Sequence, residues 1–172
     1  VVYDELGLNG GELLDLERWA PELRGILLGQ AKPDLLVLAY GTNESGNGGL
    51  DLSDYRSRAT ALLSALRLES GAPILVIGPL DRSSRYKRRR AGILAQEKKV
   101  IQALKEAASV AGCAFWDARL AMGGEGAILK WRRSGLAQRD LVHLTGPGYQ
   151  RLGDQLADTL LKLYDGHIQK QP

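Results

Sequence analysis

The sequence predicts a single α/β domain with a parallel sheet covered by helices on both faces. Continuous apolar runs at 34–40 and 73–78 are typical of strands buried on both sides, and segments with apolar residues at helical spacing separate them. Such alternation of strands and helices indicates βαβ units. The 172 residues, 44% of them hydrophobic, suit one domain, which we expect at 1–164, with 165–172 as a flexible tail.

The predicted elements begin with a short β-like stub at 1–3, followed by a glycine-rich turn at 7–11. Apolar residues recur at helical spacing from 12 to about 30. This spacing predicts one amphipathic helix, with Pro21 as its one irregularity. The run at 34–40 follows as the first complete strand.

The middle of the chain predicts a helix and then a buried strand. The helix extends from 50 to about 68, and Asp51 or Ser53 is its N-cap, because both residue types accept hydrogen bonds from the first turn. The second apolar run, 73–78, forms the strand.

Three further elements are predicted in the last part of the chain. A long helix from about 88 to 111 ends at Gly112, a residue type that is common after helix ends. The short apolar segment 113–117 is the third strand, and the last helix starts after Thr145.

The composition excludes several classes of protein. A single cysteine, Cys113, excludes an internal disulfide framework and a cysteine-based metal cluster. The two histidines argue against a histidine-rich metal site, and neither a metal nor a cofactor is expected. The net charge of +3 does not by itself indicate nucleic acid, which is not an expected partner. No apolar run approaches the ~18 residues that a membrane span needs.

A candidate catalytic pair lies just before the last predicted helix. Asp140 and His143 are three residues apart, so the carboxylate can meet the imidazole locally. A carboxylate that holds one ring nitrogen fixes the tautomer and leaves the other nitrogen as a general base. The alternative is that His143 only packs or caps at this position.

Two candidate donors follow strand ends, where ligands bind in doubly wound sheets. The amide of Asn43, after the strand at 34–40, can donate to a developing oxyanion, as can the backbone N–H of Gly10. The alternative for both residues is ordinary turn chemistry, which asparagine and glycine favour.

Taken in order, these residues resemble the SGNH (GDSL-type) hydrolase family, from the first residues to about 164. Four sequence blocks of that family supply a serine, a glycine, an asparagine and an Asp-x-x-His pair. Gly10 matches the second block, Asn43 the third, and Asp140 with His143 the last. The resemblance implies a flavodoxin-like, three-layer α/β/α sheet and the catalytic and oxyanion roles given above.

Finer motifs are similar to those of bacterial peptidoglycan and carbohydrate O-acetylesterases. They are Tyr40-Gly-Thr-Asn-Glu, Gly78-Pro-Leu-Asp, Phe115-Trp-Asp, Met122-Gly-Gly and Asp140-Leu-Val-His-Leu-Thr-Gly-Pro-Gly-Tyr. This similarity implies removal of acetyl, or other short acyl, esters from carbohydrate such as cell-wall glycan. It also implies a bacterial periplasm or cell envelope as the location.

The chain departs from the family in one respect, because it contains no Gly-Asp-Ser block. Ser45 is near the predicted crevice, but it follows the asparagine by two residues and cannot be the family's nucleophile by position. The first strand of the 2-1-3-4-5 sheet order is missing as well. We expect a C-terminal portion of a longer enzyme, whose upstream segment carries the serine. A reduced, catalytically inactive protein that binds carbohydrate or a partner is the alternative.

Two further features concern substrate binding. Trp131, in a predicted loop before Asp140, is the candidate for substrate contact. The basic run at 82–90 is either a solvated loop or a site of attraction for an anionic polymer, cell-wall glycan or nucleic acid.

Overall fold

The computed structural model describes residues 2–5, 7, 9–84 and 87–169, with side chains except those of 87–92 and 94. Within these ranges the helices and strands occur in the following order along the chain: a first 3-10 helix (Leu13–Arg18), α1 (Pro21–Ala31), β1 (Leu36–Ala39), a second 3-10 helix (Glu44–Gly46), α2 (Leu52–Ser70), β2 (Ile74–Ile77), α3 (Lys87–Val110), β3 (Ala114–Trp116), α4 (Ala118–Met122), α5 (Ala127–Arg133) and α6 (Gly146–Ile168). The chain divides into two compact units. The first comprises Val1–Pro79 and Ala91–Asp117, and the second Leu80–Arg90 and Ala118–Pro172.

The sheet belongs to the first unit and confirms the predicted parallel α/β class. Its strands lie in the order β1-β2-β3, and both neighbouring pairs are parallel. Leu36 is opposite Ile74 in the first pair, and Ile77 is opposite Trp116 in the second. The central strand, β2, is the most buried, as expected for a run without polar residues.

The core of the first unit joins α2 and α3 to the sheet. Its buried apolar side chains include Leu38, Ala59, Leu63, Val76, Val100, Leu104 and Ala107. Two helix ends form as the sequence predicts: Asp51 caps α2 by accepting from the N–H groups of Ser53 and Asp54, and Gly112 follows α3 with φ of 68°. The core thus holds α2 and α3 against the sheet in which β1 leads to the loop with Asn43.

The predicted helix over 12–30 was wrong in one respect, because the segment forms two helices. Leu13–Arg18 is a 3-10 helix, and α1 begins at Pro21. Proline disfavours helical geometry in the residue before it, and Ala20 is extended, with ψ of 135°. Arg24 stabilises the break by donating to the carbonyls of Leu16 and Trp19 while it pairs with Glu69.

The predicted β-like stub at 1–3 is also corrected. Val2 and Tyr3 are not in a strand and are 90% and 81% exposed, whereas Val1 lies outside the described residues. A strand is stable only when a neighbour accepts its backbone hydrogen bonds. Among the described strands, none pairs with this segment.

The second unit has its own apolar core around α5 and the segment before α6. The buried members are Met122, Ala127, Ile128, Trp131, Ala137, Leu141 and Leu144. Asp81 lies at 1% exposure in this unit, where its carboxylate accepts from the Ile128 N–H at 2.9 Å and from Arg119 at 3.3 Å. These bonds anchor the start of α5, on which Trp131 lies.

The last helix starts where the sequence predicts and ends later. The Thr145 side chain accepts from the Gly148 N–H and caps α6. The sequence predicted a flexible tail from 165, but α6 continues to Ile168. Residues 170–172 lie outside the described residues. The boundary of a single domain at 164 stays a prediction. No described helix has the length and apolar content to cross a membrane.

Candidate active-site residues

His143 and Asp140 form the pair that the sequence predicts. Nδ1 of His143 lies 2.6 Å from Oδ2 of Asp140, and their side chains are 62% and 41% exposed. A carboxylate can only accept, so the short contact requires the proton on Nδ1. In the neutral imidazole, Nε2 then carries the lone pair and can act as a base.

The loop that carries this pair is closed by backbone hydrogen bonds. Ala137 and Leu144 form an antiparallel bridge, and the Gln138 N–H donates to the His143 carbonyl at 2.8 Å. Leu141, between Asp140 and His143, adopts a left-handed φ of 64° and is only 2% exposed. The side chain of Leu141 therefore fastens the loop to the core, while Asp140 and His143 point to solvent.

The electrostatics of Asp140 favour its ionised form. Partial burial alone would raise the pKa of its carboxyl, but the hydrogen bond to His143 and the two backbone N–H groups of Val142 and His143 lower the pKa to about 2. Asp140 is therefore an anion at neutral pH and can stabilise an imidazolium at His143.

Asn43 contacts Gly11, the residue after Gly10, in the first unit. Nδ2 of Asn43 donates to the carbonyl of Gly11 at 2.9 Å, and the Asn43 side chain is exposed. Gly10 has a φ of 72°, which suits glycine in a turn. An amide NH2 carries two protons, so one bond to Gly11 leaves Asn43 a second proton for another acceptor.

Sequence reasoning assigned no role to Glu44, although this buried carboxylate organises the loop that contains Asn43. It is 0% exposed and accepts from the Leu13 N–H at 2.8 Å, the Gly41 N–H at 3.0 Å and the Tyr55 hydroxyl at 3.1 Å. Burial, followed by the nearby Glu44 charge, raises the pKa of Tyr55, so that its phenol remains a donor. The sequence signal was limited to a charged residue directly after Asn43.

The structure corrects the prediction that Trp131 lies in a loop. The residue lies in α5 instead of a loop, is 5% exposed, and donates from Nε1 to the Met122 carbonyl at 2.9 Å. Its indole therefore fills the core of the second unit and presents little surface to a substrate. The sequence predicted a loop at Trp131 because a helix of seven residues is too short for a clear apolar periodicity, and this one ends in Lys130-Trp-Arg-Arg133.

Ser45 does not offer a nucleophile. It is 1% exposed, and its Oγ donates to the Thr42 carbonyl at 2.9 Å. In the described residues, no group of three or more histidine, cysteine, aspartate or glutamate side chains is arranged to hold a metal ion. The basic run at 82–90 includes Arg85 and Tyr86, which lie outside the described residues.

A parallel α/β sheet, together with an Asp–His pair just before the last helix, is typical of hydrolases that activate a nucleophile through a carboxylate-held imidazole. The sequence profile described as the GDSL-like lipase/acylhydrolase family matches residues 1–151. The chain therefore belongs to the GDSL-like lipase/acylhydrolase family, which confirms the resemblance to SGNH hydrolases.

Similar solved structures are esterases and acylhydrolases. A peptidoglycan O-acetylesterase is 28% identical with a TM-score of 0.75, and the match covers 91% of this chain but 45% of that one. An acetyl xylan esterase is 21% identical, with a TM-score of 0.65 and coverage of 90% and 78%. A lipase/acylhydrolase from Enterococcus faecalis is 19% identical, with a TM-score of 0.63 and coverage of 88% and 71%.

The last two of these structures are 21% and 19% identical to the chain, so their similarity establishes the fold alone. The chain spans 45% of the length of the peptidoglycan O-acetylesterase that it matches. No curated protein gives a significant match.

Proposed function

We propose that this chain is part of a serine esterase of the SGNH type that removes acetyl or other short acyl groups from carbohydrate. The observation that carries the proposal is the 2.6 Å pair of His143 Nδ1 and Asp140 Oδ2 in a member of the acylhydrolase family. The similarity to a peptidoglycan O-acetylesterase supports a glycan ester as the substrate.

The nucleophile in this proposal is a serine supplied by sequence outside the chain. The chain contains no Gly-Asp-Ser block, and the hydroxyl of Ser45 is buried. Nε2 of His143 takes the proton of that serine as its oxygen attacks the acyl carbon. The protonated imidazole, held by the Asp140 anion, then gives the proton to the departing sugar hydroxyl.

The second half of the reaction uses the same base. Water loses a proton to His143 and attacks the acetyl-serine, and the proton returns to the serine oxygen as acetate leaves. The Asn43 amide and the Gly10 N–H stabilise the negative charge of each tetrahedral intermediate. Loss of one such donor raises the barrier by ~3 kcal/mol.

The test compares the complete enzyme with variants in hydrolysis of p-nitrophenyl acetate. His143→Ala is expected to abolish turnover, because no base remains to activate serine or water. His167→Ala, which removes the other histidine of the chain, provides the control and is expected to retain turnover. Residues 1–172 alone are expected to be inactive. Unchanged turnover in His143→Ala, or His143-dependent turnover by 1–172 alone, would refute the assignment.

A catalytically inactive protein that binds carbohydrate or a partner is the second candidate, favoured by the lack of a Gly-Asp-Ser block. The coding sequence upstream of Val1 separates the two. A strand ending in Gly-Asp-Ser supports the esterase, whereas an in-frame start directly before Val1 supports the binding protein.

A further inference from the structure

The two units differ strongly in charge. The second unit contains fourteen basic and six acidic residues, for a formal charge of +8, whereas the first contains nine basic and fourteen acidic residues, for a charge of −5. The whole chain carries only +3, so the total conceals this separation. The unit with the excess of positive charge is the one that holds Asp140 and His143.

Part of this excess is gathered at the end of α5. Lys130, Arg132 and Arg133 are exposed in its last turn, and the guanidinium of Arg151, from α6, lies 5.4 Å from the ring centre of Trp131. These four cations are called the basic cluster below. Cations near a helix C-terminus interact favourably with its dipole, but Arg151 comes from another helix, so the dipole alone does not explain the cluster.

The cations of the basic cluster differ from most arginines of the first unit in lacking acidic partners. Arg18, Arg24, Arg56 and Arg58 each form an ion pair with a carboxylate. For the basic cluster, no ion pair to a carboxylate is present among the residues that the structure describes. Such unneutralised charge raises the local concentration of anions.

The basic cluster adjoins a concave surface and the loop that carries Asp140 and His143. A shallow, open concavity of about 380 Å³ is lined by Leu129, Arg132 and Arg133. The Leu136 N–H donates to the Trp131 carbonyl, and the Thr145 N–H donates to the Leu136 carbonyl. These bonds tie the end of α5 to the segment that directly follows His143.

We propose that the basic cluster binds an acidic glycan, a carbohydrate chain with carboxylate groups. Three of the four cations are arginines, whose planar, forked donors match the two oxygens of a carboxylate. A carbohydrate is assigned as the carrier because the inference rests on the proposed esterase function. The cluster then holds the charged part of the glycan chain whose ester reacts at His143.

The test measures binding to the chain itself and needs no turnover. Isothermal titration calorimetry compares oligogalacturonate, which carries a carboxylate on every sugar, with its fully methyl-esterified form. The chain is expected to bind the acidic form at least tenfold more tightly, with an affinity that falls as NaCl rises. Equal affinity for the neutral ester would overturn the proposal.

Matched double variants locate the binding surface. Arg132→Gln with Arg133→Gln is expected to weaken oligogalacturonate binding at least tenfold. Arg18→Gln with Arg56→Gln removes the same charge from exposed positions of the first unit and is expected to change affinity less than twofold. Equal losses in the two double variants would mean attraction by net charge alone and would overturn the proposal. Circular dichroism checks that both variants fold.

Two other polyanions complete the experiment. Polyphosphate and single-stranded DNA are titrated at the same salt concentration, and both are expected to bind more weakly than oligogalacturonate. Binding of either at equal or higher affinity would overturn the assignment to a carboxylate-bearing glycan. Failure of p-nitrophenyl acetate hydrolysis in the complete enzyme would refute the esterase without altering these binding results.

Discussion

At the scale of single residues, the imidazole of His143 is one of the groups that lower the pKa of the Asp140 carboxyl. His143→Ala removes the hydrogen bond to Oδ2, so the pKa of Asp140 is expected to rise from about 2 towards the ordinary 3.8. Carbon-detected NMR of the carboxyl group over pH 1–6 measures the change. His167→Ala is the control and should leave the pKa of Asp140 at about 2. A pKa that stays at about 2 in His143→Ala would assign the shift to the backbone donors.

The same pKa shift contributes to stability in a defined pH range. The folded carboxyl has the lower pKa, so its contribution is complete above the unfolded value of ~3.9 and disappears as the pH falls through about 2. Asp140 is 41% exposed, so solvent screening makes this contribution small. The main importance of the low pKa is therefore for the charge that faces His143.

Glu44 is the residue whose replacement tests the loop around Asn43. Glu44→Gln keeps the side-chain size but replaces one accepting oxygen by an NH2 group, which leaves at least one buried donor without its acceptor. We expect a loss of about 2–3 kcal/mol in the free energy of unfolding. Urea unfolding followed by circular dichroism measures it.

Glu106→Gln provides the comparison for Glu44→Gln. Glu106 pairs with Arg56 at 2.7 Å between exposed side chains, and the loss of such a solvent-screened pair is expected to destabilise the protein much less than the change at Glu44. Similar losses in the two variants would contradict the organising role assigned to Glu44.

At the scale of elements, the turn after β1 requires glycine. Gly41 has a φ of 107°, and a Cβ there would lie 2.7 Å from Cδ of Pro79 and 2.9 Å from Cδ1 of Leu104. Gly41→Ala therefore adds a steric clash to an unfavourable backbone conformation. Gly71→Ala tests the backbone term alone, because Gly71 has a φ of 65° and no atom within 4 Å of its Cβ position.

We expect Gly41→Ala to lower the free energy of unfolding by about 1–3 kcal/mol more than Gly71→Ala. Thermal unfolding of the two variants, followed by circular dichroism, measures the difference. Equal melting temperatures would show that β1 and its neighbours move apart to accept the methyl group.

The elements that sequence predicts correctly are those with a long or uninterrupted apolar pattern. The runs at 34–40 and 73–78 contain β1 and β2. β2 is buried as expected, whereas Leu35 and Val37 are 44% and 46% exposed, so the expectation that 34–40 is buried on both faces is wrong in the described structure.

The predictions failed at two other segments, 12–30 and the residues around Trp131, each for a physical reason. The break before Pro21 has a local cause, because proline disfavours helical geometry at Ala20, and the predicted single helix gave this cause too little weight. The helix around Trp131 has only seven residues, and its indole N–H bonds the Met122 carbonyl, a contact that apolar periodicity does not reveal.

At the scale of the whole molecule, the sequence predicted the contact between Asp140 and His143 better than the buried contacts that support the site loops. Asp140 and His143 are three residues apart, so their contact is local and could be foreseen. Glu44 contacts Leu13 and Tyr55, which are 31 and 11 residues away, and its role depends on a fold that brings them together. The difference in charge between the two units could not be seen in the sequence either, because each unit combines two separate segments of the chain.

Leu141 faces two opposing demands on residue choice. Its left-handed backbone suits glycine or asparagine, whereas its place in the apolar core of the second unit suits a large aliphatic side chain. Glycine would relieve the backbone and empty the core, and asparagine would bring an amide among apolar neighbours. Few amino acids meet both demands, so random mutagenesis should find this position among the least tolerant in the chain, although it has no chemical role of its own.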